Sequence, residues 1–342
     1  MFKAKKALEE RLADIDVVIE MVDARLPMSS SNPMFASMIG LRQRPSLKIL
    51  NKQDLADPIQ TAAWLDWFSQ QKNTRAIALD SGDGAPKQKI LAACRALAPH
   101  RDGGAKPLRL VICGIPNVGK STLINALMGR KIAKTGNEPA ITKTQQRIQL
   151  AEDVVLYDTP GMLWPKIEHE TCGDYLAASG AVGRNALDEE TIALALIATL
   201  KRRYPNALTS RYGLPDGVEA TPDDAVLEAI GRRRGAVRSG GVVDYQKAAE
   251  ILFTDFRAAI IARVTLETPE EWGVIAAEIA RRQAIERAEE AERRALRKGS
   301  KGRGKGKNDA SPAQLGRDDD EDDLLADDGD VDVVLLPLVE ED

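Results

Sequence analysis

The sequence contains one glycine-rich octapeptide whose residue types and spacing suit phosphate binding. Residues 114–121 read GIPNVGKS and match the pattern G-x-x-x-x-G-K-[S/T]. An apolar run over 108–113 precedes them and a helical pattern over 122–128 follows, which is the context that a phosphate-binding loop requires. Glycines let backbone N–H groups approach a phosphate closely, and the helix N-terminus adds its dipole. We predict nucleotide contacts from Asn117, Val118, Gly119, Lys120, Ser121 and Thr122.

Two residues of this loop and one later tetrapeptide suit phosphoryl transfer. We expect Lys120 to reach the β- and γ-phosphates and Ser121 to hold Mg²⁺, with both at a surface loop. Asp158-Thr159-Pro160-Gly161 follows the strand predicted over 154–157, and Asp158 stands 37 residues after Ser121. At that place Asp158 can bind the same Mg²⁺, usually through water, and Gly161 can offer its N–H to the γ-phosphate.

A third motif selects the base. Asn51-Lys52-Gln53-Asp54 matches N-K-x-D and follows a strand predicted over 47–50. The carboxylate of Asp54 can accept both N1–H and N2–H of guanine, whereas adenine offers no such pair of donors. The motif therefore predicts GTP rather than ATP. Unusually, it precedes the phosphate-binding loop.

These motifs lie at the ends of strands that alternate with helices. This alternation predicts an α/β fold with a mostly parallel sheet covered on both faces. The predicted strands are 17–22, 47–50, 76–79 and 108–113, followed by a hairpin over 145–150 and 154–157. The predicted helices around this sheet are 3–12, 61–71, 87–97 and 122–128.

Strand signals stop after about Cys172, and three helical patterns follow over 187–200, 221–230 and 245–261. Thr221 is the expected cap of the second helix, with Pro222 at its first position. We predict a sheet domain over 1–171 and a helical domain over 172–272, ending near Trp272. Residues 273–342 form a third segment with a charged helix over 275–298, then a basic run (298–307) and an acidic tail that we predict to be disordered.

Cysteine count, apolar runs and charge exclude several classes of protein. Cys94, Cys113 and Cys172 are odd in number and far apart, which argues against a disulfide framework or a zinc site. No apolar run is long enough for a membrane span, and residues 1–10 lack the apolar stretch of a secretory signal, so we expect a cytoplasmic chain that does not enter a membrane. We also expect a monomer that does not bind DNA. Residues 318–342 hold 13 acidic residues and no Lys or Arg, which leaves 48 basic against 39 acidic residues before them. A basic body with an acidic tail suits a polyanionic partner, although the tail could equally be a solubilising appendage.

The inverted order of the motifs resembles the circularly permuted GTPases. Within that group, the motifs resemble the ribosome biogenesis GTPase A (YlqF-type) family over about residues 1–270. They are DARLP (23–27), NKQD (51–54), PNVGKST (116–122), TKTQQ (142–146), AIGRRRG (229–235), GGVVD (240–244) and TLETP (265–269).

The resemblance implies a GTPase that acts in late assembly of the large ribosomal subunit. It implies that GTP hydrolysis is slow in the isolated protein and faster on the subunit, and that a helical domain contacts rRNA. It implies that Thr142 is a catalytic switch threonine covering Mg²⁺ and the γ-phosphate. It also implies that Asn117 supports a K⁺ ion, although an asparagine there could equally stabilise the loop. In the family's guanine loop, this sequence has Leu79 and Asp80, whose contact to the base would be a backbone N–H.

Departures from the family pattern leave the hydrolytic group open. Ala140 replaces a usual glycine beside the switch threonine, and Met162 stands where other GTPases orient water with a glutamine. Family members often begin with Trp-Phe-Pro-Gly-His-Met, and this sequence starts at that Met. The histidine of that segment is a candidate for orienting the water, so either the start codon was assigned late or the enzyme lacks this group. The alternative function is a GTP-switched RNA-binding module with little hydrolysis of its own, whereas the zinc-bearing permuted GTPases of the small subunit are disfavoured by the lack of a Cys/His cluster.

Two further expectations concern the helical domain. The basic runs 201–203, 232–234 and 298–307 are expected to contact RNA phosphates, the alternative being solvated helix faces. We also expect the loop 158–161, when it binds the γ-phosphate, to pull on residues 162–173 and reorient these helices. The alternative is a rigid GTP-binding domain joined to the helices by a slack linker.

Overall fold

The computed structural model describes residues 8–80, 86–101, 106–129, 146–164, 166–182 and 188–302, with the backbone alone at 292 and 294–302. Six strands form one sheet: β1 (Val17–Asp23), β2 (Ser46–Asn51), β3 (Thr74–Ala78), β4 (Leu108–Gly114), β5 (Gln146–Ala151) and β6 (Val154–Asp158). Their order is β3-β2-β1-β4-β6-β5. Neighbouring strands are parallel except β5, which pairs antiparallel with β6. The predicted α/β class and mostly parallel sheet are confirmed.

The strand register brings all three predicted motifs to one edge of the sheet. Asp23 at the end of β1 pairs with Asn51 at the end of β2, and Met21 pairs with Gly114 at the end of β4. The strand order reverses between β1 and β4, because β2 and β3 extend to one side and β6 and β5 to the other. Ligands of open parallel sheets bind at such a switch point, outside the carboxyl ends of the strands.

Four helices cover the faces of the sheet: α1 (Pro33–Leu41), α2 (Pro58–Ser69), α3 (Pro86–Leu97) and α4 (Lys120–Met128). Helix α1 was not predicted; it begins where the Asn32 side chain accepts from Met34 N. Helix α2 begins three residues before its predicted start, since Asp57 caps it and Pro58 occupies its first turn. Residues 8–12 are helical, and residues 1–7 of the predicted N-terminal helix lie outside the described residues.

Helices make up most of the region after residue 169: α5 (Glu170–Ser179), α6 (Glu189–Arg203), α7 (Pro205–Tyr212), α8 (Asp223–Arg233), α9 (Tyr245–Arg257) and α10 (Pro269–Gly302). The predicted cap of α8 is wrong, because Thr221 ends the preceding 3₁₀ turn and Pro222 takes the cap position. Helix α9 stops at Arg257 rather than 261, since Ala259 adopts a left-handed φ of 53°. Trp272 lies in the first turn of α10, and the division of the chain into domains stays a prediction.

The helical region and the sheet share one hydrophobic core. Leu110 and Ile112 of β4 belong to the same buried cluster as Leu196 of α6 and Leu252 of α9. The segment between α9 and α10 also returns to the sheet, where Leu266 N donates to Arg25 O at 2.7 Å. The two regions are therefore packed together rather than joined by a slack linker. Across the described ranges, no helix has the length and apolar character needed to cross a membrane.

Candidate nucleotide-binding site

The phosphate-binding loop runs from the end of β4 to the start of α4 and fits tightly against β1 and β2. Gly114 has a φ of 151°, and a Cβ at this position would lie 2.6 Å from Met21 O. Gly119 has a φ of 104°, and a Cβ there would overlap Asn51 Nδ2. Both glycines are thus required by close backbone approach as well as by φ.

Lys120 lies inside the curve of this loop. Its Nζ donates to Gly114 O at 2.9 Å and to Ile115 O at 3.1 Å, and the residue is 8% exposed. The prediction that Lys120 sits at a surface loop is therefore wrong. Burial lowers the pKa of Lys120 to about 8, although nearby Asp158 acts in the opposite direction. A Cβ on Gly161 would lie 3.1 Å from Lys120 Nζ, so the structure brings these two predicted residues together.

Asp158 ends β6 beside the phosphate-binding loop. The residue is buried, and its Oδ1 has no hydrogen-bond partner among the described residues. Burial raises the pKa of Asp158 to about 6, opposed by the charge of Lys120. A buried carboxylate oxygen without a partner fits a site for Mg²⁺ held through water. Ser121 stands half-buried in the first turn of α4, and predicted Thr142 and Ala140 lie outside the described residues.

The base-selecting motif lies directly against the phosphate-binding loop. Asn51 Nδ2 donates to Val118 O at 2.8 Å, which ties β2 to the loop. Lys52 has a φ of 63°, and its Nζ contacts Asp23 Oδ2 at 2.8 Å. Asp54 follows in an exposed 3₁₀ turn over Gln53–Leu55. The fold therefore juxtaposes the two predicted motifs and leaves the Asp54 carboxylate at the surface.

Asp23 and Arg25 support this motif, and the sequence analysis did not identify them as site residues. Arg25 Nε and Nη2 donate to the two oxygens of Asp23 at 2.9 and 2.7 Å. Burial alone would raise the pKa of Asp23, but the charges of Arg25 and Lys52 hold it well below its usual range. The Arg25 guanidinium also lies 4.9 Å from the Phe256 ring centroid of α9. The signal that could have found this pair was a strand ending in Asp followed two residues later by Arg.

Glu267 fixes the loop after β1 to the helical region and was likewise missed. It is 1% exposed and accepts from Ser29 N at 3.0 Å, from Ser29 Oγ at 2.7 Å and from Met28 N. Burial raises the pKa of Glu267 to about 7, against the effect of these donors. Its backbone carbonyl accepts from Trp64 Nε1 at 3.1 Å. The TLETP motif thus closes onto the DARLP loop.

Leu79 does not fit the base contact predicted for it. Its N–H donates to Leu50 O at 2.9 Å, and its carbonyl accepts from Gln53 N at 3.1 Å. Both backbone groups therefore extend the pairing of β2 with β3. The side chain of Asp80 accepts from Gln53 Nε2 at 3.2 Å, and Ser81 lies outside the described residues.

Asn117 and Met162 connect the loop to its surroundings. Asn117 has a φ of 58°, and its Nδ2 donates to Gly180 O, just beyond α5, at 2.8 Å. This contact gives Asn117 the loop-stabilising role, and its part in K⁺ binding stays a prediction. Met162 is 5% exposed and packs with Met34 and Phe35, so its side chain is buried in the core.

The basic runs are mostly engaged within the helical region. Lys201 pairs with Asp223, and Arg202 and Arg203 both pair with Glu271 of α10. In the second run, Arg232 pairs with Glu228, and Arg234 donates to Arg211 O. Arg233 is exposed and has no hydrogen bond or ion pair within the described part of the chain. The run 201–203 is thus chiefly structural. Residues 298–302 of the last run continue α10, and 303–307 lie outside the described residues.

A parallel sheet with the base motif on β2, ahead of the phosphate-binding loop on β4, defines a circularly permuted P-loop GTPase. The family model of the 50S ribosome-binding GTPase matches residues 109–204, which begin at β4 and leave the base motif outside. The sequence is 41% identical over 282 residues to ribosome biogenesis GTPase A of Bacillus cereus, covering 80% of this chain and 93% of that protein. The chain belongs to the ribosome biogenesis GTPase A family.

Other relatives agree with this assignment. The mitochondrial ribosome-associated GTPase 1 of Mus musculus is 32% identical over 288 residues, covering 78% of this chain and 88% of that protein. The structure is similar to that of GNP-bound YlqF from T. maritima, with a TM-score of 0.55 and 26% identity over 79% of this chain and 99% of that chain. As a member of this family, the chain is a P-loop GTP hydrolase that binds guanine nucleotide together with Mg²⁺.

Proposed function

We propose that this GTPase is an assembly factor for the large (50S) ribosomal subunit and that its bound nucleotide controls its association with the pre-ribosome. The work would take place in the cytoplasm, where a bacterial-type subunit is assembled. The observation that carries the proposal is the direct contact between the phosphate-binding loop and the helical region, from Asn117 Nδ2 to Gly180 O. The relatives' names supply the ribosomal context.

A second set of contacts supports control by the nucleotide. The backbone of Met162 is held at both ends, because its N–H donates to Gly114 O at 3.3 Å and its carbonyl accepts from Asn32 Nδ2 at 3.0 Å. Helix α5 begins eight residues further along the chain. Arg257 donates to Ala177 O and Ala178 O at the end of the same helix. A shift of the Gly161 loop toward a γ-phosphate would therefore act on the start of α5, and Arg257 would pass a movement of α5 on to α9.

In the hydrolytic step, Lys120 would neutralise charge on the β- and γ-phosphates and Gly161 would donate its N–H to the γ-phosphate. Ser121, Asp158 and the switch residue Thr142 would hold Mg²⁺, which stabilises the charge of the transferred group. Asn117 has one amide oxygen in addition to the Nδ2 that binds Gly180, and that oxygen is the group that would support K⁺. The buried Met162 cannot orient water, so we propose that hydrolysis is slow alone and faster on the subunit.

RNA would be bound through phosphates and shape rather than through base reading. Exposed Arg233 and the basic residues after α10 are the groups we expect to contact rRNA. Affinity that rests on such contacts falls steeply as salt is added. Substituting Arg233 by Ala should therefore reduce the salt dependence of subunit binding, whereas Arg203→Ala should act mainly through its lost pairing with Glu271.

GTP turnover measured with and without purified large subunits tests the proposal. We expect turnover to rise when large subunits are added and to stay at its basal rate with small subunits, whereas Lys120→Ala should lower turnover by about 10²–10³-fold in all three cases. Turnover unaffected by large subunits, with binding that still depends on GTP, would favour the GTP-switched RNA-binding module. The buried position of Met162 is the observation that keeps this second function open. Absence of any binding to large subunits would contradict both.

A further inference from the structure

An apolar cleft lies away from the nucleotide site, between the loop after β1, the segment after β6 and helix α10. Its volume is about 710 Å³ including its open mouth, and its walls include Met28, Pro33, Trp164, Ile167, Trp272 and Ile279. None of these residues contacts the phosphate-binding loop or the base motif through a described hydrogen bond. The known chemistry of the site therefore does not account for the cleft.

Two side chains that line the cleft carry buried polar atoms without a described partner. Trp164 Nε1 and His169 Nδ1 have no hydrogen-bond partner in the described part of the chain. The indole N–H is a donor, and a histidine whose Nε2 faces Glu278 at 3.5 Å offers Nδ1 as an acceptor when neutral. An unpaired buried polar group costs free energy. An extended peptide carries both a carbonyl and an N–H, so it would satisfy both atoms once these side chains rotate toward the cleft.

The chain itself contains a segment of matching chemistry. Residues 331–339 read VDVVLLPLV, and eight of these nine residues are apolar. They follow a strongly acidic stretch, so they interrupt a tail that otherwise favours solvent. Pro337 disfavours a helix over this run. Burial of apolar side chains stabilises by roughly 25 cal/mol for each Å² removed from water, which favours docking of this run in an apolar cleft.

The length of the intervening chain fits the distance to be spanned. Ile279 lines the cleft and Gly302 ends the same helix, and 1.5 Å per residue places them about 35 Å apart. Residues 303–330 connect Gly302 to the apolar run, and a chain of that length reaches at most about 100 Å when fully extended. The connection is therefore long enough to span the separation, which makes docking an intramolecular step. Docking within one chain thus needs only weak intrinsic affinity.

We propose that the apolar cleft is the docking site for residues 331–339 of the same chain. The docked run packs between Trp164 and Trp272 and pairs its backbone with Trp164 Nε1. Because Trp164 and Ile167 belong to the segment that continues from the Gly161 loop, docking holds that segment in place.

Hydrogen–deuterium exchange of the full-length protein tests this proposal. The variant Leu335→Asp/Leu336→Asp places charges in the apolar run, and Leu324→Asp/Leu325→Asp is its matched control in the acidic stretch of the same tail. We expect amides of residues 164–172 and 331–339 to exchange about tenfold faster in the first variant and at the wild-type rate in the second. All four leucines lie after residue 302, beyond the described residues, and the control variant reports whether new charge in this tail by itself disturbs the fold.

Two results would overturn the proposal. Equal exchange over 164–172 and 331–339 in the wild type and both variants would show that the run does not occupy the cleft. Protection that is lost when the wild-type protein is diluted would show that the run docks on a second copy instead. Protection that is independent of protein concentration and specific to Leu335 and Leu336 is the expected result.

Discussion

The two sides of the nucleotide site satisfy their charged groups in different ways. On the base side, buried Asp23 is paired with both Arg25 and Lys52. On the phosphate side, within the described ranges, buried Asp158 has an oxygen without a partner, and Lys120 donates only to backbone carbonyls. On the base side, the charged groups are therefore paired within the protein, and Asp23, Arg25, Lys52 and Glu267 form a rigid frame in contact with the helical region. On the phosphate side, the partners of the charged groups are the nucleotide and its metal.

The pKa directions express the same contrast. Ion pairing lowers the pKa of Asp23 despite burial, whereas burial raises the pKa of Asp158 and lowers that of Lys120. Desolvation of a charge destabilises a protein unless pairing offsets it. The desolvated charges of Asp158 and Lys120 thus lower the stability of the nucleotide-free protein, and a bound ligand offsets this loss. We expect GTP with Mg²⁺ to stabilise the fold chiefly through this side.

The largest expected effect is on the base side. Arg25→Ala leaves Asp23 buried with one cation and removes the contact with Phe256, so the free energy of unfolding should fall by about 3–5 kcal/mol. The matched control is Arg95→Ala, which removes an exposed ion pair with Asp153 and should cost at most about 1 kcal/mol. Chemical denaturation measures both. Equal losses in the two variants would show that the buried pair is not part of a rigid frame.

Lys120→Ala tests the phosphate side. Loss of this ammonium should lower GTP turnover by about 10²–10³-fold, a typical cost of removing one group that stabilises a transition state. Without nucleotide its stability should stay within about 1 kcal/mol of the wild type, because the lost side chain is a desolvated cation. Ser121→Ala, assayed in parallel, should lose Mg²⁺-dependent GTP binding. A large drop in the melting temperature of nucleotide-free Lys120→Ala would mean that Lys120 is structural.

Glu267 should make the frame sensitive to pH. Its pKa is raised from 4.5 to about 7 on folding, so it contributes stability that is fully present below pH 4.5 and lost as pH rises through about 7. Relative to Glu267→Gln, the wild type should lose about 3 kcal/mol of unfolding free energy between pH 4 and pH 8. The exposed carboxylate of Glu228 provides a control, as Glu228→Gln should give a curve parallel to the wild type. A constant difference between wild type and Glu267→Gln would contradict the raised pKa.

Substitution of Asp54, the residue predicted to select the base, is expected to have a smaller effect, on GTP affinity. Asp54→Asn removes a charged acceptor for guanine N1–H and N2–H, and a hydrogen bond to a charged group is worth about 1.5–3 kcal/mol. GTP affinity should fall about 10- to 150-fold, and xanthosine triphosphate should partly restore binding. Competition binding with ATP completes the test on the unmodified protein. ATP that competes as well as GTP would refute base selection by Asp54.

The sheet could be predicted from the sequence, because its strands are short apolar runs that end at recognisable polar motifs. The sequence was also sufficient for the neighbourhood of Lys120, Gly161 and Asp158, since parallel strands bring their carboxyl ends together. It was insufficient for Arg25 and Glu267, whose contacts with Arg257 and Ser29 join segments 232 and 238 residues apart, and for Asp23, whose pairing with Lys52 joins the ends of two strands. The helix α1 was missed because its start depends on the Asn32 cap rather than on periodicity, and the burial of Lys120 depends on loop carbonyls that no pattern of side chains reveals.

The central claim is that the nucleotide on the phosphate side controls association with the large subunit through α5 and its neighbours. Affinity of the full-length protein for purified large subunits, measured with a non-hydrolysable GTP analogue and with GDP at one salt concentration, tests it most directly. Coupling between two sites commonly lies between about 5- and 150-fold, and by reciprocity the subunit should tighten GTP binding by the same factor. We predict tighter binding with the GTP analogue by a factor in that range. Equal affinities in the two nucleotide states would contradict the claim.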